Sequence, residues 1–99
     1  MIQRLVCFKF IAGVTADQVK QHMDDFSQLK QEISSILEYR GGEIFSDPGK
    51  NPAEYDSLHY LLFQTKTDME GYIPHPAHQK FIQKNKAIWE KVLVLNSEF

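Results

Sequence analysis

The sequence predicts an α+β domain: a four-stranded antiparallel sheet with helices on one face. Three observations lead there. Strand-type and helix-type periodicities follow one another in the order strand, helix, strand, strand, helix, strand. Two amphipathic helical regions suffice to cover one face of such a sheet, but not both. Yet the strands are apolar on both faces, so the second face needs a different cover.

Residues 2–11 are rich in β-branched and aromatic side chains. Arg4, Val6, Phe8 and Phe10 share one face of this strand, and Leu5, Cys7, Lys9 and Ile11 the other. After a turn at Gly13, Thr15 and Gln18 have the spacing of a capping box. Val19, Met23, Phe26, Leu29 and Ile33 then recur at helical spacing, which predicts a helix over 16–30 and a looser turn over 33–36. Residues 37–45 read as a second strand, in which Gly41 and Gly42 predict a bulge or sharp bend. Pro48, Gly49, Asn51 and Pro52 make 46–54 a loop.

The third strand is predicted over 55–65, with Ser57, His59, Leu61 and Phe63 on one face and Leu58, Tyr60 and Leu62 on the other. Thr67 and Glu70 suggest a second capping box opening a short helix that Pro74 stops. Pro76 suits the first turn of the next helix, with His75 at its N-cap, and Ala77, Phe81, Asn85 and Ile88 follow at helical spacing. Residues 92–95 form the last strand. This order is the ferredoxin-like split βαβ arrangement, expected here as a single domain over 1–99. Leu5, Cys7, Leu58, Tyr60, Leu62, Leu93 and Leu95 make the face away from the helices apolar. A twofold-related second copy is its simplest cover, so a homodimer with two sheets closed into a barrel is expected.

The composition narrows the function. Net charge is −2 with no basic stripe, which argues against nucleic acid as a partner. The apolar runs are strand-sized, which argues against a membrane span. The opening Met1 to Val6 enters a strand pattern rather than a signal-type apolar region, and Cys7 is the only cysteine, so a cytoplasmic protein without a disulfide is expected.

Four stretches resemble the stress-responsive dimeric A/B-barrel (Dabb) family. They are Leu5-Val6-Cys7-Phe8-Lys9-Phe10; the helix end Leu29-Lys30-Gln31-Glu32-Ile33; Tyr55-Asp56; and Tyr72-Ile73-Pro74-His75-Pro76-Ala77-His78, followed by Trp89-Glu90-Lys91-Val92. The Tyr-x-x-His-Pro-Ala-His segment is the most specific, and the stretches span almost the whole chain in the expected order. The resemblance implies a ferredoxin-like fold and a dimeric barrel. It also implies a pair of functional groups. The family includes a cofactor-free plant polyketide cyclase whose general-base histidine matches His78 and whose catalytic tyrosine matches Tyr72. Where that enzyme places two further pocket histidines, this chain has Arg4 and Ser57. Its substrate is therefore not carried over.

Read as chemistry, an unperturbed histidine titrates near pH 6.5, so a residue such as His78 can take a proton, while the Tyr72 hydroxyl can donate to a developing enolate oxygen. The alternative is that His78 only fixes the bend from Tyr72 to Pro76. Both side chains are expected to border one cavity between helices and sheet. Ser57, His59 and Arg4 are placed near its polar end, Val6, Phe8, Phe26, Trp89 and Val94 along its walls, and His22 at its border. An arginine near a strand start also reads as a solvated surface charge. His75 and His78 lack the third converging ligand that a metal site needs, and no haem, flavin, nucleotide or phosphate-loop signature occurs, so neither metal nor cofactor is expected. Two functions stand. One is a homodimeric module that binds a small apolar or aromatic molecule in a stress-related role without turnover. The other is a cofactor-free cyclase, lyase or isomerase that uses His78 and Tyr72 on a carbonyl compound.

Overall fold

The computed structural model describes residues 1–99. Strand β1 (Ile2–Phe10) leads into helix α1 (Ala16–Glu32), followed by β2 (Glu38–Glu43), β3 (Ser57–Phe63), α2 (Lys66–Tyr72), α3 (Pro76–Asn85), a single 3₁₀ turn (Lys86–Ile88) and β4 (Trp89–Glu98). The four strands form one sheet in the order β2-β3-β1-β4, antiparallel throughout, which is the ferredoxin-like arrangement.

Local chemistry sets most boundaries. Thr15 caps α1 through its side chain on the Gln18 amide (3.1 Å), and the Gln18 side chain returns the bond to the Thr15 amide (2.9 Å). The second predicted box is displaced: α2 is capped by Thr65, whose hydroxyl accepts from the Asp68 amide at 3.1 Å, and not by Thr67. β3 ends at Phe63, so the first unpaired helical amides lie within reach of Thr65 rather than Thr67. β4 is longer than its apolar stretch. It pairs with β1 from Trp89 opposite Phe10 to Glu98 opposite Ile2, because ladder bonds need only backbone, and Asn96-Ser97-Glu98 supply that as well as valines do.

The faces separate as their alternation requires. Val6, Phe8, Phe10, Leu61 and Phe63 point to the helices and bury against Phe26, Leu29, Met69, Tyr72 and Phe81. No helix covers the other face, where Leu58 and Leu95 remain 37% and 53% exposed. Cys7, on that face, is nonetheless buried within the sheet. Asp56 joins β1 to the loop before β3: its amide bonds the Phe8 carbonyl and its carboxylate accepts from the Phe10 amide, both at 2.8 Å.

The predicted bulge at the glycine pair does not form. β2 pairs with β3 in unbroken register from Glu38 opposite Leu62 to Glu43 opposite Ser57. Gly41 serves a different need. The Tyr39 side chain lies over it to reach His59, and a Cβ there would overlap the Tyr39 hydroxyl and stand 3.0 Å from His59 Nδ1. Gly42 meets nothing within 4 Å on the other face. Gly41→Ala is therefore expected to destabilise by about 1–3 kcal/mol, as overpacking does. Gly42→Ala should stay within about 0.5 kcal/mol of wild type. Urea denaturation of the two variants measures the difference, and equal midpoints would contradict the assignment.

Candidate active site

The bend between α2 and α3 presents the leading pair. α2 ends at Tyr72, and Pro74 cannot supply an amide to continue it. α3 restarts at Pro76 with His75 as N-cap, whose Nδ1 accepts from the Ala77 amide at 3.1 Å. That leaves the Ile73 carbonyl without its helical partner. It accepts instead from His78 Nδ1 at 2.8 Å and from Gln79 Nε2 at 2.9 Å. A carbonyl oxygen only accepts, so Nδ1 of His78 carries the proton and Nε2 keeps a free lone pair. Burial pulls His78 below the ordinary histidine pKa and the nearby Arg4 charge adds to this, while its bond to Ile73 opposes them. The ring is thus neutral at pH 7, in the tautomer a general base requires.

Tyr72 lies beside it, ring centroids 4.3 Å apart. Its side chain is 1% exposed. Burial pushes its hydroxyl pKa above the ordinary tyrosine range, so the phenol remains a proton donor at neutral pH. Arg4, across from it on β1, holds its guanidinium 5.7 Å from the Tyr72 ring centroid.

The three side chains line one cavity of about 150 Å³ between the helices and β1/β4. Val6, Phe8, Phe26, Trp89 and Val94 line its walls together with Phe81, Ile82 and Val92. Those last three were legible in principle: Phe81 and Ile82 stand three and four residues from His78 on one helix face, and Val92 alternates with Val94. Val92 and Val94 are about two-fifths exposed and mark the rim. Arg4 is no solvated surface charge. It is 9% exposed, because its strand position faces the helices with Val6 and Phe8.

Ser57, His59 and His22 lie outside the lining, behind the wall. All three are 0% exposed. His59 stacks on Phe26 (centroids 4.1 Å apart, 14° between planes), which separates it from the cavity. Its two nitrogens bond Tyr39 Oη at 2.8 Å and Ser57 Oγ at 3.2 Å. Either hydroxyl can donate or accept, so a neutral imidazole satisfies both. His22 packs edge-on against Phe8 and Phe10 at 4.5 and 5.0 Å, with neither nitrogen hydrogen-bonded. One strand step and one helix face place these residues near the site, but the large Phe8 and Phe26 rings fill the space between.

The chain matches a known family. The profile described as the stress responsive A/B barrel domain covers residues 2–99. The chain belongs to this family.

Olivetolic acid cyclase of Cannabis sativa is 23% identical to this A/B barrel domain over 95 residues, covering 96% of this chain and 93% of the cyclase. Among solved structures, an Arabidopsis thaliana protein superposes with a TM-score of 0.88 at 21% identity, covering 100% of this chain and 95% of that one. The hydroxynitrile lyase of Passiflora edulis gives 0.87 at 18% identity, with 97% and 90% covered. A protein from Thermobifida fusca described as dimeric and ferredoxin-like gives 0.82 at 21% identity, with 99% and 90% covered.

The buried histidines of the A/B barrel domain set its response to acid. Burial lowers His22 to about 4. Burial first, and its neighbour His22 second, lower His59 to about 3. Unfolded histidines titrate near pH 6.5, so between there and about pH 4 the unfolded chain binds protons that the folded one refuses. Stability is complete above about pH 7 and falls with pH, by roughly 1.4 kcal/mol per unit per histidine once the unfolded state is charged. Denaturation at pH 7 and pH 5 should show this loss, and His22→Leu should remove about half of the slope. A stability unchanged from pH 7 to pH 5 would contradict it.

Proposed function

We propose that this A/B barrel domain is a cofactor-free proton-transfer enzyme acting on small, largely apolar carbonyl compounds. His78 Nε2 takes the proton from the carbon beside the carbonyl. The C–H electron pair moves into the carbon–carbon bond, and the carbonyl pair moves onto oxygen. The Tyr72 hydroxyl donates to that oxygen as charge develops there. In an isomerisation or a lyase step the protonated His78 then returns its proton to carbon or to the departing oxygen; in a cyclisation the enolate carbon attacks a second carbonyl carbon of the same molecule, that C=O pair moves onto its oxygen, and the new alkoxide takes the His78 proton. The observation that carries this reading is the bond from His78 Nδ1 to the Ile73 carbonyl, since it leaves Nε2 as the basic atom. A structural role alone would be met by that bond without a cavity, yet His78 also lines one. Two relatives, named as a cyclase and a lyase, support proton chemistry in this fold.

A binding module without turnover is the second reading, favoured by the small cavity of about 150 Å³. Exchange of the α-protons of phenylacetone in D2O, followed by NMR, separates the two. The wild type should accelerate exchange, His78→Ala should slow it roughly a hundred-fold or more, and Tyr72→Phe should slow it by a smaller factor. Exchange indifferent to His78→Ala overturns the proposal, and so does a bound probe that never exchanges.

We further propose that the domain works as a homodimer built on the uncovered sheet face. Leu58 and Leu95, with the half-buried Leu5, Tyr60 and Leu93, form an apolar surface there that no element of the chain covers. The Thermobifida fusca relative, described as dimeric, supports this. A stable pair needs about 1,200 Å² or more of buried surface. The lone buried thiol of Cys7 supports the reducing cytoplasm expected from the sequence. Light scattering should return twice the chain mass of 11.5 kDa, and Leu95→Glu should shift it toward one chain. A wild-type monomer at micromolar concentration would contradict the assembly.

A further inference from the structure

Arg4 is the one cation of the chain buried in an apolar setting, and no anion answers it. It is 9% exposed and lines the cavity among valines and aromatic rings. The ion pairs of the chain all use lysines: Lys20 with Asp24, Lys66 with Glu98, Lys84 with Asp25 and Lys91 with Glu54. The guanidinium itself is only partly engaged. Nη1 donates to Asn96 Oδ1 at 3.1 Å and to the Met69 sulfur at 3.7 Å. Nε is sealed from solvent with no acceptor in the protein, and Nη2 makes no hydrogen bond to it. The open donor is therefore Nη2, and the sealed Nε beside it has no acceptor either. A charge held out of water without a partner is costly, and it is kept where a ligand supplies the partner.

We infer that Arg4 is the anion-binding end of this cavity and that the ligand is a small apolar or aromatic carboxylate, which for the proposed reaction makes the substrate an oxo acid. A carboxylate supplies both an acceptor for the open Nη2 donor and the negative charge that the guanidinium lacks. The apolar walls of Val6, Phe8 and Phe26 suit the hydrocarbon body between. Arg4 lies against one side of the Tyr72 ring and His78 against the same ring, so a carboxylate held on Arg4 directs the rest of the molecule along Tyr72 toward the base. The inference deepens the proposed function by naming the charge of its substrate.

NMR titration of the full chain with phenylacetate and with its neutral isostere phenylacetamide tests this. Phenylacetate should bind at least about tenfold more tightly and should move the ring signals of Tyr72 and His78. Arg4→Met keeps the length and apolar stem of the side chain and should abolish the preference. Asn96→Asp leaves Arg4 in place but supplies an internal carboxylate beside it, and should weaken phenylacetate while leaving phenylacetamide unchanged. Should Arg4→Met fail to fold, the Asn96→Asp result decides alone. Equal affinity for the two probes in the wild type overturns the inference, as does a phenylacetate preference that survives both variants. Binding needs no turnover, so a failure here leaves the phenylacetone exchange result standing. A failure of exchange, in turn, leaves a carboxylate preference intact.

Discussion

One backbone carbonyl organises the site. In an unbroken helix the Ile73 oxygen would accept from the Ala77 amide, four residues on. Here the amide is claimed by the His75 side chain, which caps α3. The carbonyl then turns to side chains and takes His78 Nδ1 and Gln79 Nε2. The cap and the orientation of His78 are two halves of the same exchange of partners. Pro74 and Pro76 stiffen both sides of it, since each fixes its own φ and removes an amide that would compete. Gln79 shares the acceptor that holds the histidine.

The buried polar groups fall into two kinds, and the difference bears on function. His59 is fully satisfied between Tyr39 and Ser57, so its burial stabilises one arrangement of β2 on β3. That bond in turn requires Gly41, because any side chain there would displace the Tyr39 ring. His22 and Arg4 are not satisfied. His22 sits where no cavity reaches it, and its cost appears as sensitivity to acid. Arg4 sits where one does. In a chain that buries only 20 of its 99 residues, a buried unpaired cation draws on a small reserve of stability.

Much of this was legible in the sequence because it depends on local chemistry. The Thr15 and Gln18 box, the His75 cap and the alternation of β1 and β3 need only neighbours a few residues apart. The same alternation put Val6 and Phe8 on the helix-facing side, helical spacing put Phe26 opposite them, and the resemblance to its family singled out Tyr72 and His78. What stayed hidden depends on depth or on register across the sheet. Alternation placed Arg4 on the face of Val6 and Phe8, yet charge alone suggested solvent, and only the packed helices show how deep that face lies. Ser57 and His59 share the helix-facing side of the sheet as expected. Their exclusion from the cavity comes from the Phe26 ring, supplied by an element more than thirty residues earlier. The role of Gly41 required knowing which β3 residue stands opposite it. The polar end of β4 carries no periodic signal, since its pairing is made by backbone alone.

The central claim is that the site holds a neutral histidine with its proton fixed on the inner nitrogen. Nitrogen-15 NMR of the imidazoles at pH 7 tests it most directly. The account predicts that His78 shows a protonated Nδ1 and a pyridine-like Nε2, with the Nδ1 proton protected from exchange by the Ile73 carbonyl. A His78 ring protonated on Nε2, or averaging between tautomers as a free histidine does, would contradict it.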